Sequence, residues 1–272
     1  MLPGSSQTEP LPAVSALTFE SMGTVVTIRV GVGAEAVASV GGDAGLTASV
    51  RAVAEQVFDR WNSRFSLYSP ESEISRIARG DIRLMQASED MRECYALALD
   101  WRDRTSGVFT PHRADGVIDL SGVVKALAIK ETGGALAGLG LGSWSVNAGG
   151  DILVRGQPGA DTEWVTALVN PLDRQDVLAN VPMFGALRAV ATSGSAERGE
   201  HIWTSGAADL SPFRQVSVFA ADIVTADVLA TTIVAGGRRS LDQSTAEFPI
   251  EVLAVLRDGG LLATPGLRRR AG

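Results

Sequence analysis

Apolar and polar residues alternate along residues 25–32 (VVTIRVGV), the period-two pattern of a strand with one buried face. Farther on, Val50, Val53, Ala54, Val57 and Phe58 recur at i, i+3, i+4, i+7 and i+8, which predicts an amphipathic helix over residues 44–61. Ser69, Pro70 and Glu71 open a short helix that carries Ile74 and Ile77. Ser88 is a suitable N-cap for a second long helix that ends near Arg104, with Gly107 as its stop. A third helix follows Ser121, read here as its cap. Extended runs at 144–146 and 152–154 meet through Ala148, Gly149 and Gly150, a hairpin signal. Residues 164–169, 189–192 and 215–220 supply further strands, and 250–256 pairs with 261–264 through Asp258, Gly259 and Gly260. Hairpins mixed with helices predict an α+β architecture rather than regular βαβ winding. Residues 1–16, with three prolines, read as a flexible leader, 17–265 as one domain and 266–272 as a solvated tail containing Arg268, Arg269 and Arg270.

Composition narrows the function. With 272 residues, 45% hydrophobic and 20% charged, the chain has the make-up of a globular protein. A net charge of −7 argues against a general nucleic-acid or membrane-surface role, and no run approaches the ~20 apolar residues of a spanning helix. The single cysteine, Cys94, excludes an internal disulfide. It lies in the periodic run MRECYALALDW, which makes it a small core residue and argues against thiol or zinc chemistry. Of 24 basic residues only Lys125 and Lys130 are lysines, a compositional skew with little functional content. No charged n-region precedes an apolar h-region, so no signal peptide is expected and the cytoplasm is the expected location.

Candidate chemistry begins at residues 225–231, TADVLAT. The carboxylate of Asp227 and the hydroxyl of Thr231 lie four residues apart, on one face of a helix. Both are hard oxygen donors suited to Mg²⁺, which takes few protein ligands and fills its remaining positions with water and phosphate. A structural reading fits the same residues: Thr225 as N-cap, Asp227 in a first turn favoured by the helix dipole, Gly236 as the stop. Three further unusual stretches precede this one, DLSGVVK (119–125), NAGGD (147–151) and ATSGSAERGEHI (191–202).

In this order, and together with SMGTVVTI (21–28) and RFSLYSPESEISRI (64–77), these stretches resemble the ApbE family over residues 19–236. The resemblance implies an α+β domain with mixed sheets, hairpins and helices packed around a central flavin cleft. It implies an FAD:protein FMN transferase: Mg²⁺-dependent cleavage of FAD, transfer of FMN to a threonine or serine of an acceptor protein, and release of AMP. Metal ligation is carried onto Asp227, Thr231 and the backbone carbonyl of Gly122. Contacts to FAD are carried onto Met22, Tyr68, Asp119, Lys125, Ser193 and Ile202, and the role of base onto His201. Each has a plainer alternative: a capping Asp119, a surface Lys125, a core Met22 or Tyr68, a structural His201. Asn147, Gly149, Gly150 and Asp151 form either a turn alone or a lining of the cleft, and Arg198 either binds phosphate or pairs with Glu197 or Glu200. His112 is read as a contributor to the pocket outside catalysis, and Lys130 as a solvated charge.

The chain departs from the family pattern in several places. Val224 stands where some relatives have an acid, which leaves the metal site one carboxylate poorer unless Asp222 reaches it. After His201 the chain runs Ile202, Trp203, Thr204, Ser205, Gly206 in place of the common Ile-Asp-Pro-x-Thr-Gly turn. FAD hydrolysis to FMN and AMP, or FAD binding without turnover, therefore stand as alternatives to transfer. The lipid-bearing cysteine of exported relatives is missing, which favours the cytoplasm.

Overall fold

The computed structural model describes residues 14–31, 42–194 and 211–270. In chain order the elements are β1 (Val14–Ser21), β2 (Thr24–Gly31), α1 (Gly42–Phe65), α2 (Glu73–Ala78), a 3₁₀ turn (Leu84–Gln86), α3 (Glu89–Arg104) and α4 (Ser121–Gly138). They continue with β3 (Trp144–Ala148), β4 (Asp151–Arg155), β5 (Trp164–Asn170), β6 (Asp173–Met183), β7 (Ala189–Gly194), β8 (Phe213–Ala220), α5 (Ile223–Glu247), β9 (Glu251–Leu256), β10 (Leu261–Ala263) and α6 (Pro265–Arg270). This is the expected α+β class.

Eight strands form one sheet in the order β1-β2-β3-β4-β7-β8-β9-β10, each pair antiparallel, and β5 and β6 form a separate two-stranded ribbon. Period-two alternation divides the core between the two faces of the large sheet. Val216, Val218 and Ala220 of β8 and Val252 and Ala254 of β9 pack toward α1, α3, α4 and α5. Their neighbours Phe219, Leu253 and Val255 point the other way and pack with Trp164, Leu168, Val181, Met183 and Leu267 from the ribbon and α6. The sheet is thus buried on both sides, which explains the continuous apolar run VLAVL of β9.

Several expectations are corrected by this packing. Strand β1 starts at Val14, inside the expected leader, and pairs with β2 along its whole length. Strand β6 had no counterpart in the sequence reading, because its first five residues are exposed on both faces and carry no alternation. The basic run at the C-terminus is a docked helix: Leu267 is fully buried and the Arg270 guanidinium lies 4.1 Å from the centre of the Phe184 ring. Helix α5 is capped by Asp222, whose carboxylate accepts from the Val224 and Thr225 N–H groups, and not by Thr225. It does not stop at Gly236; it breaks at Gly237 (φ 65°) and resumes to Glu247. Ser121 is the first residue of α4, its N–H bonded to the Asp119 carboxylate at 2.9 Å. Among the described residues no helix is long and apolar enough to cross a membrane.

Candidate functional site

One end of the large sheet gathers most of the residues singled out by the sequence. The β1–β2 turn is Met22-Gly23 and the β3–β4 turn is Gly149-Gly150, each a two-residue loop with positive φ at both positions. Pairing of Val26 with Ala148 puts the two turns side by side. A Cβ on Gly149 would stand 2.5 Å from the Thr24 hydroxyl, so glycine is required there by close approach as well as by backbone conformation.

Asp151 follows this turn and is fully buried on the helical side of the sheet. Its Oδ2 lies 2.6 Å from Nζ of Lys125, one turn into α4, and its Oδ1 accepts the Thr192 N–H at 3.1 Å. The next residue of β7, Ser193, is also buried, and its Oγ lies 3.1 Å from Thr231 Oγ1 on α5. Asp227, one turn before Thr231, has no solvent exposure. An aspartate in the first turn of a surface helix would be solvated. Instead Asp227 is the fifth residue of α5 and belongs to the interior. The structure therefore brings Lys125, Asp151, Ser193 and Thr231 into contact through two side-chain pairs from three of the motifs and α5.

The remaining expected residues divide. Asp119 lies just before α4, where its carboxylate accepts the Ser121 N–H. Gly122, the second residue of α4, has room only for hydrogen: a Cβ there would stand 2.9 Å from the Phe109 ring. Met22 packs partly against the main core with φ 51°, an uncommon backbone for methionine. Tyr68 is 87% exposed and so is not a core residue. Asn147 and Asp151 do not line one surface, because alternation sends Asn147 to the ribbon side of the sheet, where its amide oxygen accepts the Gly150 N–H. On that side Thr27, Arg29, Ser145, Asn147, Trp164 and Thr166 border a cavity of about 120 Å³ that is separated by the sheet from Lys125 and Thr231. Asp222 is committed elsewhere: besides capping α5 it accepts from Lys130 Nζ at 2.7 Å, and Lys130 is the expected solvated charge, held in a surface ion pair. His112 pairs its Nε2 with the Tyr95 hydroxyl at 3.0 Å, a partner on α3 for which the local sequence carries no signal. Burial pushes the Cys94 thiol up to about 12, which makes it inert as a nucleophile. Arg198, His201, Ile202 and the altered turn after His201 lie outside the described residues.

Among the described residues no three His, Cys, Asp or Glu side chains gather as a metal cluster. One carboxylate with hydroxyl neighbours is a poor set for zinc or for calcium held by protein alone, and fits Mg²⁺ shared with phosphate oxygens.

The model of the ApbE family matches residues 22–115 and 112–254. The two stretches overlap within the segment FTPHRADG, residues 109–116. No curated protein matches the chain. Solved structures with a similar fold include the ApbE protein from Thermotoga maritima, at 18% identity and TM-score 0.77, covering 96% of this chain and 100% of that one. The flavinyl transferase ApbE of Pseudomonas stutzeri, apo form, aligns at 16% identity and TM-score 0.75 over 96% of this chain and 99% of that one. The flavin transferase ApbE from Vibrio cholerae aligns at 18% identity and TM-score 0.73 over 95% and 100%.

Proposed function

Since the chain belongs to the ApbE family, we propose that it is an Mg²⁺-dependent FAD:protein FMN transferase that moves FMN from FAD to a threonine or serine of an acceptor protein and releases AMP. The observation that carries this reading is the meeting of the motifs at one end of the sheet, through the Lys125–Asp151 ion pair and the Ser193–Thr231 hydroxyl contact. Asp227 and Thr231, with the Gly122 carbonyl, would hold Mg²⁺. When bound, the metal supplies charge neutralisation at the pyrophosphate oxygens. Lys125 contributes a fixed positive charge beside the same group, and Asp151 keeps it there. Met22, at the neighbouring turn, Tyr68, Asp119 and Ile202 are assigned to the FAD itself. In the transfer step the acceptor oxygen forms a bond to the FMN-side phosphorus and the bond to the AMP oxygen breaks. The hydroxyl proton passes to His201 as general base.

Purified protein incubated with FAD and Mg²⁺, with and without a threonine-bearing acceptor peptide, tests this directly. AMP formed only with acceptor supports transfer. AMP formed regardless of acceptor identifies a pyrophosphatase giving FMN and AMP, and bound FAD without AMP identifies a binding protein.

A further inference from the structure

We infer that Asp151 is a positioning residue, which fixes the Lys125 ammonium and the Ser193 end of β7 in one arrangement; this rests on the transferase reading above. The backbone ladder between β4 and β7 covers only Ile152 with Val190 and Leu153 with Ala189. Beyond it, the Thr192 N–H is met by the Asp151 side chain and not by the β4 backbone. The other carboxylate oxygen holds Lys125 at 2.6 Å. One buried group thus sets both the strand that carries Ser193, and through it the Thr231 hydroxyl, and the cation of α4.

Lysine needs such a partner. Its four-carbon stem is flexible and its ammonium is a point charge without the fixed geometry of arginine. Among the described residues Asp151 is the one ion-pair partner of Lys125. The two are held by charge at 2.6 Å and not in hydrogen-bond geometry, which leaves the ammonium donors to be aimed at phosphate oxygens. Lys125 is 19% exposed while Asp151 is fully buried, so the cation stands between the carboxylate and solvent. The role is electrostatic: Asp151 acts through Lys125 and the strand it holds.

A double-mutant cycle on Asp151→Asn and Lys125→Met tests this, read as kcat, KM for FAD, FAD affinity by flavin fluorescence, and melting temperature. Asp151→Asn is expected to lower kcat about tenfold or more in the wild-type background and less than about twofold when Lys125 is already methionine, since directly coupled residues are non-additive. A purely structural aspartate predicts the same loss in both backgrounds, and that result, or an unchanged kcat, overturns the proposal. Should Asp151→Asn not fold, Asp151→Glu retains the charge while displacing the ammonium. It is then expected to lower kcat by the same order without a large fall in melting temperature, and wild-type kcat in that variant overturns the inference. If the wild type releases no AMP with any acceptor, the transferase reading fails, yet the cycle read on FAD affinity still decides: non-additive losses support positioning and additive losses refute it.

Discussion

Burying a carboxylate as completely as Asp227 is expensive unless compensating charge or hydrogen bonds accompany it, which makes this residue a sensitive place to test the metal assignment. Asp227→Asn keeps the shape and removes the charge. It is expected to abolish Mg²⁺-dependent AMP release while leaving FAD binding largely intact, and Thr231→Val to do the same less severely. Titrating Mg²⁺ against AMP release decides; a normal rate at limiting Mg²⁺ removes Asp227 from the metal site. For His201, replacement by alanine should lower acceptor flavinylation by ~10² to 10⁴, the usual cost of losing a general base. FAD affinity and melting temperature should then stay near normal, whereas a structural histidine would lower both together. Cys94 makes a pH prediction. Its thiol titrates near 12 in the fold against 9.0 ordinarily, so the folded state retains a proton that the unfolded chain releases. Stability tied to this group is complete below pH 9 and is lost as pH rises toward 12. Urea midpoints from pH 8 upward should fall more steeply for the wild type than for Cys94→Ala.

At the scale of elements, the turns and caps show how far local chemistry reaches. The β1–β2 turn places Met22 at φ 51°, where a side chain costs about 1 kcal/mol or more relative to glycine. Met22→Gly relieves this strain but loses the partial packing of the side chain on the core, so its melting temperature should stay near that of the wild type. If the side chain contacts the flavin, the same variant should weaken FAD binding, and measuring both quantities separates a strained functional residue from a tolerated one. The cap of α5 was less legible. Asp222 and Thr225 are both good N-cap types, and the choice falls to Asp222 because β8 ends at Ala220, leaving two residues to turn the chain into the helix. At the break, glycine is favoured by the φ of 65° and by a neighbour, since a Cβ on Gly237 would meet Pro212 at 3.2 Å.

For the whole molecule, the helical layer must press close enough on the sheet for Lys125 to reach Asp151. Gly133 makes this possible on α4, since a Cβ at that position would stand 2.4 Å from the buried Trp144 ring on β3. Gly133→Ala should force α4 outward and cost about 1–3 kcal/mol, the range typical of overpacking. Because Lys125 rides on the same helix, FAD affinity should fall with stability. Denaturant unfolding and flavin fluorescence on the variant test the coupling, and a loss of stability with unchanged FAD affinity would show that α4 and the site move independently.

Some of this was determined by the sequence alone. Periodicity predicted α1, α3 and most strands, Gly149-Gly150 predicted the β3–β4 hairpin, and the motif order pointed to the family. Such signals are local: period and turn chemistry state which face of an element is buried and where the chain reverses. They carry no information about which residue lies across the core. That Asp151 pairs with Lys125, that Ser193 meets Thr231 across 38 residues, that Asn147 turns away from Asp151, and that Asp222 is spent on Lys130 were decided only by the tertiary structure. The physical reason is that these contacts depend on strand order, register and the distance between helix and sheet, which are set by packing the whole chain at once.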